Sequence, residues 1–308
     1  MIHGLHHVTA IAGDPQRNLD FYVELLGLRL VKRTINYDDP GTYHFYFGDA
    51  VGTPGTILTF FPWPAAQRGS RGAGEVEATA FAIPLDSVNY WLERFREHHV
   101  AAERLPERFG EEAIRLVDAD GMLLELVATQ SVSEVQPWLE GSVAAAHSIR
   151  GFHSVSAAVE NHQETATFLT ETFGYRFVQE RGNRFRFAAP GEGVGKMIDL
   201  IRRPQSPPGR LGAGSVHHIA FRVPDDAQQK AWREKILELG FGVSPIMDRV
   251  YFRSIYFREP GGVLFEIATD PPGFATDENV RDLGSRLCLP PWMEGSRSKI
   301  EQILPAIR

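Results

Sequence analysis

The sequence has one cysteine, no run of basic residues and no long apolar segment, and each of these absences bears on what the chain can be. Cys288 has no second cysteine with which to form an internal disulfide. The formal net charge of −7, with no cluster of lysine or arginine, argues against a surface for nucleic acid or anionic membranes, because phosphate binding relies on such clusters. No stretch approaches the roughly 20 apolar residues that cross a bilayer. We therefore expect neither a nucleic-acid partner nor a membrane.

The N-terminal stretch MIHGLHHVTA also lacks the basic segment and apolar core of a secretory signal, so we expect a cytoplasmic protein. At 308 residues, 43% hydrophobic and 23% charged, the chain has the composition of a globular protein of about two domains. Small molecules are the expected partners, and the sequence leaves room for a homo-oligomer.

An internal repeat divides the chain into two halves. Residues 2–9 (IHGLHHVT) align with residues 149–156 (IRGFHSVS). The halves also end alike, with PWLEG at 137–141 and PWMEG at 291–295. Duplication of this kind predicts two similar units followed by a tail. The predicted boundaries are an N-terminal domain over 1–148, a C-terminal domain over 149–270 and a tail over 271–308.

Each half divides again into two modules, since GEVEATAFAIP at 74–84 resembles GSVHHIAFRVP at 214–224. In the first module the strand-like LHHVTAIA precedes a helix that Asp14 can cap and Gly27 can end, and three β-rich runs follow. The order is βαβββ, and the other modules repeat it. Their helices are predicted near 86–98, 161–173 and 226–239. The predicted linkers are 130–148 and 204–213.

Two His-His pairs, His6-His7 and His217-His218, together with Glu266 on a short apolar strand, suggest a metal site. Two imidazoles and one carboxylate leave half of an octahedral shell open. Non-haem Fe(II) oxygenases use this arrangement to bind substrate and dioxygen together.

Strand geometry separates the members of each pair. Side chains alternate across a strand, so one histidine of each pair can face a metal and its neighbour faces away unless the strand bulges. The module alignment matches His7 with His218. An unpaired Glu266 would be costly on its apolar strand, and a metal would satisfy it. We predict His7, His218 and Glu266 as ligands, with His153, His218 and Glu266 as the alternative set.

Other residues provide internal comparisons. Glu125 takes the place of Glu266 in the second module without a matching histidine, so we expect it to be structural. His44 is a candidate for the wall of the site. The pair His98-His99 ends a predicted helix, where the helix dipole favours a cation, and is expected to be solvated.

The βαβββ repeats and the spacing of His7, His218 and Glu266 resemble the vicinal oxygen chelate superfamily, which includes glyoxalase I, extradiol dioxygenases and fosfomycin-resistance proteins. The resemblance implies an α+β fold in which four βαβββ modules form two curved, barrel-like mixed β-sheet domains with flanking helices. More narrowly, the ring-cleaving hydroquinone dioxygenases are similar in three stretches: GLHHVTAI at 4–11, SVHHIAFRV at 215–223 and YFRSIYFREPGGVLFEIATDPPGF at 251–274.

This resemblance implies Fe(II) held by His7 from the first module and by His218 and Glu266 from the last, so that modules one and four face one another. A small aromatic molecule and dioxygen would be the substrates. The Tyr256 hydroxyl would bond a phenolate, and Arg249 would neutralise an anionic oxygen. The full set of implied residues around the metal is His6, Thr9, His217, Arg249 and Tyr256.

The expected function is an Fe(II)-dependent ring-cleaving dioxygenase acting on hydroquinone-type aromatic substrates. A catechol extradiol dioxygenase is one alternative, although such enzymes place a histidine some twenty residues before the ligand glutamate, where this chain reads PIMDR at 245–249. A glyoxalase I-like metal-dependent isomerase is a second. A drug-binding or resistance protein is a third, although such proteins are usually single two-module chains that dimerise.

Overall fold

The computed structural model describes residues 1–130 and 135–308, and its elements follow the predicted βαβββ order in all four modules. The first module contains β1 (Leu5–Ala12), α1 (Pro15–Leu19), a π-helical turn (Asp20–Leu25), β2 (Arg29–Asn36), β3 (Asp39–Gly48) and β4 (Ile57–Pro62). The second contains β5 (Glu75–Ile83), a 3₁₀ turn (Leu85–Ser87), α2 (Val88–Glu97), β6 (Ala102–Arg104), β7 (Ala113–Val117) and β8 (Leu123–Ala128).

The second half of the chain repeats this order and adds the tail. The third module contains β9 (Phe152–Val159), α3 (His162–Thr167), a π-helical turn (Phe168–Thr172), β10 (Arg176–Arg181), β11 (Arg184–Ala188) and β12 (Met197–Arg202). The fourth contains β13 (Val216–Val223), α4 (Asp226–Glu238), β14 (Met247–Asp248), β15 (Arg253–Arg258) and β16 (Leu264–Thr269). The tail contains three 3₁₀ turns and one helix, Phe274–Thr276, Val280–Asp282, Pro291–Ser296 and α5 (Arg297–Ile303).

The three helices predicted for the later modules are confirmed to within two residues at each end. The predicted linker 204–213 contains no helix or regular strand and pairs with residues 68–73 through isolated bridges. Of the predicted linker 130–148, residues 131–134 lie outside the described residues.

The strands form two curved eight-stranded mixed sheets with flanking helices, as the α+β prediction requires. One sheet has the order β14-β15-β16-β13-β1-β4-β3-β2 and joins module four to module one. The other has the order β10-β11-β12-β9-β5-β8-β7-β6 and joins module three to module two. Both sheets are therefore built across residue 148, and the division of the chain into two domains at that residue stays a prediction.

Alternation along the strands gives each sheet a helical side and an open side. On β3, Phe47 faces the helical side, where its ring lies 5.3 Å from that of Tyr22. His44 and Tyr46 take the opposite, concave side. Asp14 caps the helical segment by accepting a hydrogen bond from the backbone N–H of Arg17 at 2.8 Å, as predicted from the sequence. No helix among the described residues is long and apolar enough to cross a membrane.

A buried lysine anchors the tail to the first sheet. Lys32 on β2 is fully buried and donates to Asp277 Oδ1 at 2.6 Å and to Glu278 Oε2. Its ammonium also lies 4.8 Å from the centre of the Tyr251 ring, and Tyr251 donates to Asp277 Oδ2 at 2.8 Å. Arg286 approaches the other Glu278 oxygen at 4.0 Å. The cluster fixes the tail next to the segment that connects β14 with β15.

Replacing Lys32 with methionine should lower the free energy of unfolding by about 3 kcal/mol, because Glu278 would be buried without its closest cation. Urea denaturation followed by circular dichroism measures this change. Lys230→Met, on the exposed face of α4, is the matched control and should stay within about 0.5 kcal/mol of the wild type. A Lys32→Met variant as stable as this control would show that the cluster does not hold the tail.

Candidate metal centre and cavity

The first sheet brings together the three residues predicted as metal ligands. His7 on β1 and Glu266 on β16 both lie directly opposite Ala220 of β13, one on each side of it. His218 stands two residues before Ala220 and projects from the same face of the sheet. The His218 Nε2 atom lies 2.9 Å from Glu266 Oε2 and 3.3 Å from His7 Nε2, and His7 Nε2 lies 3.4 Å from Glu266 Oε2.

The chemistry of this group fits a divalent cation. Glu266 is fully buried and its Oε1 accepts a hydrogen bond from Ser254 Oγ at 2.5 Å, whereas Oε2 accepts no well-directed hydrogen bond although both rings are close. Burial alone would raise the pKa of Glu266, but His7 and His218 outweigh it and hold the pKa well below its usual range. Burial lowers the pKa of His218, so its ring keeps a lone pair for a metal at neutral pH.

Two β-bulges determine where the other histidine of each pair lies. The pairing of β1 with β13 skips His6 on one strand and His217 on the other. Each is consequently in contact with its neighbour, with Nδ1 to Nδ1 distances of 2.9 Å for His6 and His7 and 2.8 Å for His217 and His218. Regular alternation would turn His6 and His217 away from the ligand positions, but both strands bulge there, which is the exception noted for the sequence, and each ring contacts its neighbour instead.

The contacts between neighbouring histidines orient the candidate ligands. Burial lowers the pKa of His217 to about 3 and the pKa of His6 well below its usual range, so both rings are neutral. A hydrogen bond between two Nδ1 atoms requires that one of them carries the proton and the other accepts it. If His7 and His218 give Nε2 to a metal, their Nδ1 atoms carry the protons and donate to His6 and His217.

A cavity of about 390 Å³ opens beside these residues. Thr9, Arg249 and Tyr256, the other residues predicted around the metal, line it together with His217, His218 and His7, whereas His6 does not. Arg249 Nε lies 3.4 Å from the Tyr256 hydroxyl, and Arg249 Nη2 donates to Asp38 Oδ2 at 3.0 Å.

Aromatic side chains that the sequence did not single out complete the wall. Phe252 lies with its ring centre 4.9 Å from that of His7, and Phe61 and Trp63 line the cavity as well. His44 also lines it, as predicted. Phe252 follows the turn at Val250, which has a φ of 68°, so its position depends on loop geometry that the sequence pattern does not reveal.

The second sheet shows how the equivalent positions are satisfied without histidine ligands. Glu125 accepts from Arg108 and from Arg115 at 3.2 Å, so the carboxylate is neutralised by guanidinium groups and is structural, as predicted. His153 lies on this sheet and contacts Glu111 at 2.8 Å. The alternative set that combined His153 with His218 and Glu266 is therefore not brought together.

The family model of the Glyoxalase/Bleomycin resistance protein/Dioxygenase superfamily matches residues 4–126 and 151–267. The chain therefore belongs to this superfamily, which confirms the resemblance found in the sequence and the fold that it implied.

Individual relatives narrow the similarity to ring-cleaving dioxygenases. MhqO of Bacillus subtilis (strain 168), provisionally named a ring-cleaving dioxygenase, is 45% identical over 98% of this chain and 96% of its own. A chlorohydroquinone/hydroquinone 1,2-dioxygenase of Sphingobium indicum is 35% identical over 97% of this chain and 95% of its own. A crystal structure of a protein from Bacillus subtilis subsp. subtilis str. 168, provisionally described as a dioxygenase, matches with a TM-score of 0.96 at 44% identity, covering 100% of this chain and 98% of that chain.

Single alanine replacements of His7, His218 or Glu266 should reduce bound metal from about one ion per chain to almost none, because each removes one of three protein ligands. The measurement is metal content by mass spectrometry after anaerobic loading and gel filtration. His153→Ala in the second sheet is the matched control and should keep full occupancy. Loss of metal from the His153 variant, with retention in the His7 variant, would contradict this assignment.

Proposed function

We propose that the protein is an Fe(II)-dependent dioxygenase that cleaves the ring of hydroquinone-type aromatic substrates with incorporation of dioxygen. The observation that carries the proposal is the His7, His218 and Glu266 group at the wall of an aromatic-lined cavity. The similarity to a chlorohydroquinone/hydroquinone 1,2-dioxygenase over almost the whole chain supports the same reaction class. A cytoplasmic location and a homo-oligomeric state stay predictions from the sequence.

His7, His218 and Glu266 would hold the metal, and Fe(II) bound there would supply neighbouring open positions for a substrate oxygen and dioxygen. The single carboxylate leaves a net charge of +1 on such a centre. A singly deprotonated hydroquinone would bring it to neutrality. The histidines at the two bulges, His6 and His217, would keep the ligand rings in the orientation that exposes Nε2.

Two side chains at the cavity suit the oxygen atoms of a phenolic substrate. Burial raises the pKa of Tyr256, so its hydroxyl stays protonated and can donate to a phenolate oxygen. Arg249 is always charged and can neutralise an anionic oxygen at the same end of the cavity. Its bond to Asp38 compensates part of this charge and favours a substrate with one negative charge over one with two.

The apolar wall has a separate part in the reaction. Phe252, Phe61 and Trp63 line the cavity and offer flat surfaces against which an aromatic ring can pack. Within residues 1–130 and 135–308 no fourth His, Cys, Asp or Glu joins the three candidate ligands, which disfavours a glyoxalase I-like isomerase with an additional carboxylate.

Anaerobic loading with Fe(II) should produce a protein that consumes dioxygen when methylhydroquinone or chlorohydroquinone is added. Catechol and the glutathione adduct of methylglyoxal are run in parallel, with an oxygen electrode and ultraviolet spectra as the readout. We expect about one dioxygen to be consumed per hydroquinone, since both oxygen atoms would enter the product. No oxygen uptake with any aromatic compound, or isomerisation of the methylglyoxal adduct without oxygen, would overturn the proposal.

Replacing Arg249 with methionine should raise KM for hydroquinone about tenfold or more at unchanged iron content, because a charge-assisted hydrogen bond to the substrate is lost. Arg253→Met on β15 is the control, since this exposed side chain pairs with Asp226 outside the cavity. Steady-state kinetics with measured iron occupancy decide the outcome. Equal KM values for the two variants would remove Arg249 from the substrate site.

A further inference from the structure

A line of hydrogen-bonded side chains runs across three neighbouring strands towards the candidate metal centre. Tyr46 on β3, Thr59 on β4 and Thr9 on β1 lie directly opposite one another and share the concave face. His44, two residues before Tyr46, projects from the same face. The Tyr46 hydroxyl lies 2.9 Å from His44 Nδ1, His44 Nε2 lies 2.9 Å from Thr59 Oγ1, and Thr59 Oγ1 lies 2.8 Å from Thr9 Oγ1.

The chemistry of the groups gives the line a direction. Burial lowers the pKa of His44 well below its usual range, so the ring is neutral and one nitrogen donates while the other accepts. A phenol is a better donor than an alcohol, and an imidazole nitrogen is a better acceptor than a phenol oxygen. Tyr46 therefore donates to Nδ1, and Nε2–H donates to Thr59.

The remaining donor of the line is the hydroxyl of Thr9. Thr59 uses its own proton to donate to Thr9 Oγ1, which leaves the Thr9 proton without a hydrogen-bond acceptor among the described side chains. Thr9 lines the cavity and stands two residues after His7 on the same face of β1. The Thr9 hydroxyl, although buried, is therefore the donor of this line that borders the cavity.

The second sheet carries charged residues at the same positions. Arg186, Asp199 and Ser156 lie opposite one another as Tyr46, Thr59 and Thr9 do. Arg184, at the position of His44, donates to Ser156 Oγ at 2.7 Å and to Asp199 at 2.8 Å. In the second sheet, charged side chains that pair with one another occupy these positions. The uncharged line of hydrogen bonds is found in the first sheet, which also contains the cavity.

We propose that His44 is a positioning residue which, through Thr59, directs the hydroxyl proton of Thr9 into the cavity, where it donates to the metal-side phenolic oxygen of the substrate. This rests on the proposed function for the identity of the ligand. The arrangement of Tyr46, His44 and Thr59 does not depend on it. His44 acts through Thr59 and Thr9, and its tautomer sets the direction of the hydrogen bonds along the line.

The first test measures the tautomer of His44 in the protein without added metal or substrate. Long-range proton–nitrogen correlation NMR of ¹⁵N-histidine-labelled protein distinguishes the two forms, and His44→Gln identifies the signal by its absence. We expect the proton on Nε2, with Tyr46→Phe weakening this preference. A proton on Nδ1 would reverse the line and overturn the proposal, whatever the protein's reaction proves to be.

The second test measures hydroquinone binding to the Zn(II)-loaded protein under anaerobic conditions, where no turnover occurs. Thr59→Val removes the hydroxyl that links His44 to Thr9 and keeps the shape of the side chain. The Kd for hydroquinone should rise about 5- to 20-fold, which is the effect of losing one directed hydrogen bond. His44→Gln should have a similar effect. The double variant should be little worse than either single variant, because both residues act through Thr9.

Thr79→Val is the matched control. Thr79 is a fully buried threonine on the second sheet whose hydroxyl has no hydrogen-bond partner among the described residues, so its removal should leave Kd unchanged. Urea denaturation and metal content verify that each variant is folded and loaded. An unchanged Kd in folded, loaded Thr59→Val, or fully additive effects in the double variant, would overturn the proposal. If the variants change Kd as expected but the Fe(II)-loaded wild type consumes no dioxygen with hydroquinone, only the proposed dioxygenase function is rejected.

Discussion

The antiparallel pairing of β1 with β13 is the contact on which the rest of the site depends. It joins the first module to the last and so brings the two ends of the repeat into one sheet. Through this pairing His7 comes to lie one strand from His218 and two strands from Glu266. The bulges at His6 and His217 belong to the same pairing, so the orientation of the candidate ligands and of their neighbours has one structural origin.

The two sheets solve the same electrostatic problem in different ways. A carboxylate buried on the closing strand needs a positive partner, since its desolvation is otherwise uncompensated. In the second sheet the chain supplies that charge, with Arg108 held against Glu125 and Arg184 against Asp199. In the first sheet Glu266 faces the imidazoles of His7 and His218, and a divalent cation would complete the charge balance. The cavity lies beside this group, so a small molecule could reach the coordination positions that the three residues would not fill.

Much of this arrangement could be predicted from the sequence because it depends on local patterns repeated four times. The module order, the helices and the matching of His7 with His218 follow from internal alignment. The bulges at His6 and His217 could not be predicted, because they arise from the register between β1 and β13. These two strands lie more than 200 residues apart in the sequence. Phe252 was missed for a similar reason, since a loop conformation brings it over His7.

Anomalous diffraction at the iron absorption edge, from crystals of protein loaded anaerobically with Fe(II), would locate the metal relative to His7, His218 and Glu266. We expect a single strong peak per chain, at bonding distance from His7 Nε2, His218 Nε2 and Glu266 Oε2. A peak in the second sheet beside Glu125 and Asp199, or no peak between modules one and four in protein that retains iron, would contradict this expectation.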